Sequence, residues 1–571
     1  MLDKRWIFQN NECDPSDVRR ISNDVGVPPI VASVLINRGV TADDDIKTFL
    51  GKSLSNIHHP FLLKDAQKAA QRIKSAIEND EKIVIYGDYD VDGITSTAIL
   101  HKFLSSLNAD VDFYIPNRAD EGYGINILAL QKLRKGGASL MITVDCGITA
   151  VGEVEFAKTI GLDIVITDHH TCKEDIPRAC AVVNPRQPDC EYPFKDLAGV
   201  GVAFKIILAC ALEMELSARE YFDKYIDLVA IGTIADVVSM KGENRIFVAA
   251  GVRRFKTTSN EGLKALSLTS GISEKPITAG LISYTIAPRI NAAGRIASAS
   301  LAVELLVTDS AERAAEISLA LENENRERQL TEQTILKEAL EMIDADENFN
   351  KKKVIVLAKE DWHHGVIGVV ASRIVDRFYR PTILLSLKDG NGKGSGRSVK
   401  GYNLFNALTL CNELLIKFGG HELAAGLNLK YDDISVFDKQ INEHAESILT
   451  DDDLIPYVNI DALVSPHDLT VANAEKMSIL EPFGMGNPQP IFAISNATIT
   501  SMRTLSEGKH CKLSVTKEGK TLDVIGFGYG TLADKFIVGD RLDIAFSMDI
   551  NVFRGEKNVQ LILKDARFSL K

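Results

Sequence analysis

Three short clusters of acidic and imidazole residues each follow an apolar run, and each could hold a metal ion. They are Gly87-Asp88-Tyr89-Asp90-Val91-Asp92-Gly93, then Asp145-Cys146-Gly147, then Asp168-His169-His170. A single carboxylate after a strand usually caps a helix, and Asp168 alone supports no more than that. Three successive strand ends loaded in this way point to one pooled site. Carboxylates packed together repel and raise one another's pKa values unless cations neutralise them. Hard oxygen ligands with one or two imidazoles favour Mn²⁺ or Mg²⁺ over a thiolate zinc site. The alternation of Asp88, Asp90 and Asp92 would also suit the opening of a calcium loop. A strand precedes it, however, and Ile99 stands where the twelfth-position Glu belongs.

The elements that must position these residues are legible from apolar runs. From Lys82 the pattern is strand, loop, helix: KIVIYG is followed by ITSTAILHKFLSSL with helical periodicity, and residues 139–144 and 162–167 are two further β-branched runs. Strands alternating with helices predict a parallel, doubly wound sheet of the α/β class, whose ligands collect at the carboxyl ends of the strands. Residues 309–345 lack Gly and Pro and are rich in Glu, Arg, Leu and Ala, which predicts one or two amphipathic connector helices. A second α/β pattern runs over 346–450. Five short strands separated by Gly, Asp and Lys turns then predict a small OB-like β-barrel over 451–571. Residues 1–50 read as short helical pieces, and 51–308 as the domain that holds the acidic clusters.

The 571 residues allow several domains, and 45% hydrophobic with 25% charged residues is an ordinary globular mix. The charge is 65 − 78 = −13, which excludes a polybasic DNA coater but not a local basic groove, because counterion release depends on the charges at the contact. The charged N-terminus has no signal-like apolar core, and no stretch reads as a membrane span. Eight cysteines without a CxxC pair fit reduced thiols. The expectation is a soluble, cytoplasmic enzyme with no membrane partner.

GDYDVDG, VDCGI and TDHH, followed by YIDLVAIGTIADVVSM with Asp236, resemble in order and spacing the four signature motifs of the DHH phosphoesterase superfamily. WHHGVIG with ASR, GSGRS, and FGGH with AAG resemble the associated DHHA1 domain, while GVGVAFK and APRINAAGRI resemble the RecJ subgroup. The resemblance spans nearly the whole chain. It implies a single-stranded-DNA exonuclease degrading from the 5′ end with two Mn²⁺ or Mg²⁺ ions, in DNA repair and recombination. Single-strand-binding protein and a RecQ-type helicase are its implied partners. It assigns Asp145 as the carboxylate shared by both metals, Asp90 to the first metal, and Asp92, His169 and Asp236 to the second. His170 is implied to face the scissile phosphate, and Asp88 to be a ligand or to stand just behind the ligands. One departure is Tyr86, which stands where small-substrate DHH enzymes carry a His ligand.

Other candidates have plainer readings beside the functional one. Ser395 and Arg397 lie in GNGKGSGRS, a surface turn on sequence alone and a phosphate-binding Gly-rich loop on the resemblance. His421 reads equally as a buried or capping His and as a substrate contact. Arg289, Asn291 and Arg295 suggest a strip gripping the nucleic-acid backbone, and Arg118 could face the incoming strand. Among the barrel aromatics, Phe527, Phe536 and Phe546 are expected in the core, with Tyr529 and Phe553 the exposed exceptions, beside a turn containing Arg554 and Lys557. Two alternatives stand against the exonuclease. One is a phosphodiesterase for short oligoribonucleotides or cyclic dinucleotides, whose relatives generally stop after the DHHA1 region. The other is a non-catalytic replication scaffold, which would have lost its ligands.

Overall fold

The structure is a computed structural model describing residues 4–8, 14–117, 121, 124–296 and 298–569, with the side chains of 295 and 296 outside the description. It divides into two compact units. One comprises Asp43–Arg326 with Leu480–Pro488; the other comprises Met1–Ala42, Glu327–Ile479 and Gln489–Lys571.

The first unit is built on five parallel strands: β1 (Ile83–Gly87), β2 (Val111–Tyr114), β3 (Leu140–Val144), β4 (Asp163–Thr167) and β5 (Ala181–Val183), in the order β2-β1-β3-β4-β5. Strand alternation sends Ile83, Ile85, Leu140 and Ile142 into one core cluster and Val84, Tyr86, Met141 and Ile164 into another. Helices cover both faces, so the central strands are near-continuous apolar runs. The order of winding reverses between the parallel strands β1 and β3, and a doubly wound sheet of this order opens a crevice at the carboxyl ends of that pair. The acidic clusters follow β1, β3 and β4, so topology alone brings them to this crevice. Four helices matter for the site: α1 (Val91–Ser106), α2 (Gly199–Glu213), α3 (Ala218–Ala235) and α4 (Gly242–Phe255).

The predicted connector is one continuous helix. After α5 (Ala287–Ile296), α6 (Ala311–Ala345) runs unbroken, and its exposed turns carry i,i+4 pairs such as Lys337–Glu341. The second unit then begins its own mixed sheet with β6 (Ile355–Glu360), α7 (His364–Phe378), β7 (Thr382–Lys388), β8 (Asn391–Arg397), β9 (Leu415–Gly420) and β10 (Ala424–Lys430), in the order β9-β10-β8-β7-β6. Only β6 and β7 pair in parallel.

The last strands are β11 (Phe492–Leu505), β12 (His510–Lys517), β13 (Lys520–Gly526), β14 (Arg541–Phe553) and β15 (Glu556–Phe568). They pair in the order β11-β12-β13-β15-β14, and β11 pairs with β14 to close a five-stranded barrel. Residues 1–50 contain helices and also a strand, Arg5–Phe8, which the reading of short helical pieces left out; it pairs in parallel with Tyr457–Ile460. The Trp6 indole N–H donates to Asp565 at 2.6 Å and Lys4 donates to the Lys564 carbonyl at 3.0 Å, so this segment is bound to the barrel. Leu480–Pro488, within the 451–571 segment of the sequence, packs with the first unit.

A charged pair is buried in the first unit. Lys205 on α2 is 0% exposed and Glu243 on α4 is 1% exposed. Lys205 Nζ donates to Glu243 Oε1 and to the His58 carbonyl, each at 2.6 Å, while the Tyr192 hydroxyl donates to Glu243 Oε2 at 2.5 Å. Burial pulls the Lys205 ammonium below its ordinary range against the attraction of Glu243. Removing one charge strands the other, which costs about 3–5 kcal/mol. Glu243→Gln and Lys205→Met should each lower stability by about this amount. The double variant, with neither charge, should be more stable than Glu243→Gln alone. Thermal unfolding of the four proteins checks this, and simply additive losses would contradict it.

Candidate metal centre

The centre is built from backbone positions that the local sequence fixes. Asp90 caps α1, its Oδ1 accepting from Gly93 N at 3.0 Å. A Cβ on Gly93 would lie 2.5 Å from the Asp88 carbonyl oxygen, so the tight turn carrying three carboxylates needs this glycine. Asp92, in the first turn of α1, accepts 2.7 Å hydrogen bonds from Gly199 N and Val200 N at the start of α2. Those free amides and the positive end of the helix dipole offset part of its charge. Asp145 follows β3 with φ +60°, a left-handed conformation that Asp tolerates better than most residues. Gly199 makes room for it, since a Cβ there would lie 2.6 Å from Asp145 Oδ1. Asp236 ends α3, and its neighbour Val237 has φ +59°, an uncommon conformation for a β-branched residue.

Side-chain atoms of Asp88, Asp90 and Asp145 lie within 4.8 Å of one another, as do those of Asp92, His169 and Asp236, and those of Asp145, His169 and His170. His169 Nε2 stands 3.1 Å from Asp145, 3.6 Å from Asp236 and 3.9 Å from Asp92. Asp145 Oδ1, Asp236 Oδ2 and His169 Nε2 are buried without a hydrogen-bond partner. Burying such atoms unsatisfied is costly. Their donor set, carboxylate oxygen with imidazole nitrogen, fits a hard divalent cation. The electrostatics agree. Burial, then the charge of Asp90, pushes Asp92 up to about 7. Burial and the neighbouring carboxylates push Asp236 up to about 9 and Asp145 well above its usual range. Burial pulls His169 down to about 4, so its imidazole is neutral and can act as a ligand.

No helix follows Asp168, so it does not serve as the helix cap that a lone carboxylate after a strand suggests; it organises the His pair instead. Its Oδ1 accepts from His169 N at 2.7 Å and His170 N at 3.1 Å and stands 2.8 Å from His170 Nδ1, while Oδ2 accepts from Ile148 N at 2.9 Å. Burial alone would raise this carboxyl, but the His170 contact and the backbone amides bring it below its usual value. In return Asp168 raises His170 above its ordinary value despite the burial that lowers it. Sequence reasoning placed Asp168 in the acidic cluster without giving it this positioning role, and it assigned no role to Gly199 or Arg186. Arg186, held by Asp196 at 3.2 Å, is the cation that counteracts the rise of Asp236. The letters Asp-His-His and GVG were visible in the sequence, but their mutual contacts are tertiary.

Tyr86 takes no part in these triplets. It is buried in the cluster of Val84 and Met141, and its hydroxyl donates to the Gly124 carbonyl at 2.9 Å. Asp88 completes the triplet with Asp90 and Asp145 instead.

The candidate substrate contacts divide. Arg118 lies outside the described residues, as does the side chain of Arg295. Arg289 is committed to structure: its Nε donates to Glu322 at 2.6 Å and its Nη1 to the Thr285 carbonyl at 2.6 Å, tying α5 to α6. Arg289 is thus held within the fold, where the sequence suggested a member of a strip gripping nucleic acid. Asn291 is half-buried on the same helix. That helix abuts the first acidic turn, where a Cβ on Gly294 would lie 2.6 Å from the Tyr89 carbonyl oxygen.

Within the second unit, Ser395 and Arg397 sit on strand β8 and not in a loop. The alternate glycines of that strand admit leucines: a Cβ on Gly394 would meet Leu385 at 2.6 Å and Leu427 at 2.7 Å, and one on Gly396 would meet Leu404 at 2.7 Å. Ser395 and Arg397 point to the other face, where α7 approaches so closely that a Cβ on Gly368 would lie 2.8 Å from Ser395 Oγ. Arg397 donates to Ser395 Oγ at 3.2 Å. His421 is exposed in the turn between β9 and β10, neither buried nor capping a helix. In the barrel Phe553 is 64% exposed with the Arg554 guanidinium 5.2 Å from its ring centre. Phe527, expected in the core, is 56% exposed, and Phe536 and Phe546 are buried. Tyr529, expected to be exposed, is half-buried and bound through its hydroxyl to Lys4 and Lys564.

Comparison with known proteins agrees with this arrangement. The DHH family N-terminal domain matches residues 82–233, the DHHA1 domain 351–447 and the RecJ OB domain 460–565. The single-stranded-DNA-specific exonuclease RecJ of Bacillus subtilis (strain 168) is 42% identical over 99% of this chain and 71% of its own length. That of Escherichia coli (strain K12) is 33% identical over 94% of this chain and 95% of its own length. The crystal structure of RecJ in complex with Mn²⁺ from Thermus thermophilus matches with a TM-score of 0.85 at 29% identity, covering 99% of this chain and 80% of that one. The Mg²⁺ complex of the same protein matches with a TM-score of 0.80, also at 29% identity, over 99% of this chain and 79% of that one. With three domains matched in order along the chain and the acidic clusters gathered at one sheet edge, the chain belongs to the RecJ family.

Proposed function

We propose that the protein is a metal-dependent exonuclease specific for single-stranded DNA, releasing 5′-mononucleotides from the 5′ end. The observation that carries this reading is the place of Asp145 between two candidate metal triplets: it belongs to the one with Asp88 and Asp90, and it stands 3.1 Å from His169 of the one with Asp92 and Asp236. Asp88, Asp90 and Asp145 would hold one Mn²⁺ or Mg²⁺ ion. Asp92, His169, Asp236 and Asp145 would hold the other. When bound, the two ions supply Lewis-acid activation of water and neutralise charge at the phosphodiester. The chain's own residues do the positioning. Asp145 aligns both halves of the centre, and Asp168 fixes the ring of His170, whose raised proton affinity suits it to donate a hydrogen bond to a phosphate oxygen. Ser395, Arg397 and His421 are proposed to bind phosphate, and Arg118, Asn291 and Arg295 the following backbone. Arg289 would act by anchoring α5.

Cys146, Cys172, Cys180, Cys190, Cys210, Cys411 and Cys511 are free thiols, which fits a reducing compartment such as the cytoplasm. No helix among the described residues is long and apolar enough to cross a membrane. A role in DNA repair and recombination, fed by a RecQ-type helicase and single-strand-binding protein, completes the proposal. The closed barrel favours long strands over short oligoribonucleotides or cyclic dinucleotides, because barrels of this kind hold single strands by stacking and a basic groove.

Asp145→Ala should reduce hydrolysis by several orders of magnitude, and Mn²⁺ should raise the Tm of the wild-type protein but not that of the variant. Retention of a tenth of wild-type kcat at saturating Mn²⁺ would sink the assignment. End-labelled oligonucleotides test polarity: mononucleotides should come from the 5′ end only, and blunt duplexes should be poor substrates. Early release of a 3′ label would overturn it. Phe553→Ala should weaken binding of long single strands by about 1–3 kcal/mol while leaving kcat on short ones unchanged. Equal affinity for long strands would remove Phe553 from the binding surface.

A further inference from the structure

We propose that Leu480–Pro488 is a positioning element of the metal centre, clamping the loop that carries Asp236 although it lies some 240 residues further along the chain. The inference rests on the reading of Asp236 as a metal ligand.

The loop from Asp236 to Lys241 joins α3 to α4, and its conformation is not one it would choose alone. Val237 has φ +59°. Its side chain is 62% exposed, so burial of the valine does not offset the strain. A strained residue of this kind persists only where its surroundings over-determine it. Two constraints do so here.

The first comes from α4. The Asn244 amide, fully buried, donates to the Ser239 carbonyl at 3.1 Å and to the Asp196 carbonyl at 2.6 Å, and its oxygen accepts from Ala198 N at 3.4 Å. Asn244 thus joins the loop after Asp236 to the turn that leads into Gly199 and Val200, the amides that hold Asp92.

The second comes from Leu480–Pro488. Met240 N donates to the Met485 carbonyl at 2.7 Å. Gly486 lies so close that a Cβ there would come 3.1 Å from Ser239 Oγ, and one on Gly484 would come 3.1 Å from Met240. The segment is itself fixed. The Asn487 amide, fully buried, donates to the carbonyls of Leu480 and Pro482, each at 2.8 Å. Arg245, 3% exposed, donates to the same two carbonyls at 3.0 and 3.1 Å and to the Phe49 carbonyl at 2.9 Å. A buried guanidinium and a buried amide are therefore both spent on shaping a short stretch whose backbone lies against Ser239 and Met240. Groups that orient a ligand-bearing segment typically change metal affinity or activity by about 10–100-fold when removed.

The test uses the full-length protein with Mn²⁺ titrated calorimetrically. Gly486 is exposed with φ +73°, so Gly486→Val presses directly on Ser239 without opening a buried cavity. Asn487→Ala loosens the segment itself, and Asp236→Ala calibrates the loss of the ligand. Both segment variants should weaken one of two Mn²⁺ sites about tenfold or more, the same site that Asp236→Ala weakens further. On single-stranded DNA they should lower kcat with KM unchanged, and the loss should shrink as Mn²⁺ is raised. If Asp236→Ala weakens Mn²⁺ binding but both segment variants bind two ions with wild-type affinity, the clamp is wrong, even if their Tm falls. If Asp236→Ala itself leaves Mn²⁺ binding intact, the ligand assignment beneath it fails instead.

Discussion

Two unit charges of like sign held 4 Å apart near a protein surface repel by about 4 kcal/mol, and this fold brings Asp88, Asp90, Asp92, Asp145, Asp168 and Asp236 to one sheet edge. That repulsion organises the rest of the first unit. The protein answers part of it internally. Asp92 is met by the first amides of α2, and Asp168 by three backbone N–H groups and His170. Asp145 and Asp236 each keep a buried oxygen with no hydrogen bond. Asp168, answered on both oxygens, frames the site; Asp92 is answered in part and still belongs to a metal triplet, and the unanswered oxygens of Asp145 and Asp236 suit a cation. The division explains why neighbouring aspartates in similar sequence settings do different work.

The acidic centre was legible in the sequence because a parallel strand delivers whatever follows it to the same edge. Apolar runs ending in Asp at 88, 145 and 168 sufficed to foresee the pooled site, and the five barrel strands followed from turn spacing. What escaped the sequence depends on contacts between distant segments. Gly199 matters because Asp145 needs its space, and Asn244 because it ties two loops together; neither has a local signature. The run GNGKGSGRS reads as a surface turn or Gly-rich loop, yet Asn391–Arg397 is a strand whose glycines face Leu385, Leu404 and Leu427. Glycine in a strand marks close approach as readily as it marks a turn. Arg289 misled in the opposite way, since its partner Glu322 is supplied by another helix.

Tyr86 shows how one substitution can be absorbed by strand alternation. A residue inside β1 faces one side of the sheet or the other. Tyr86 belongs to the face lined by Val84 and Met141, where it ties down the backbone at Gly124. The carboxylate that joins Asp90 and Asp145 comes instead from Asp88, beyond the end of the strand and free of its alternation.

The strand at Arg5–Phe8 has a consequence for how the protein comes into being. Its partner, Tyr457–Ile460, is about 450 residues away, and at roughly 5–20 residues per second a ribosome needs roughly 20–90 s to reach it. For that interval the first strand emerges with its edge unpaired and Trp6 without its buried place, while the five-stranded parallel sheet behind it is already complete in sequence. Arg5 and Lys4 place charge beside the waiting apolar residues, and charged flanks of this kind keep an orphan edge from pairing with a neighbouring chain. Arg5–Phe8 thus settles only after Tyr457–Ile460 has been made, joined to a domain that did not exist when it was synthesised.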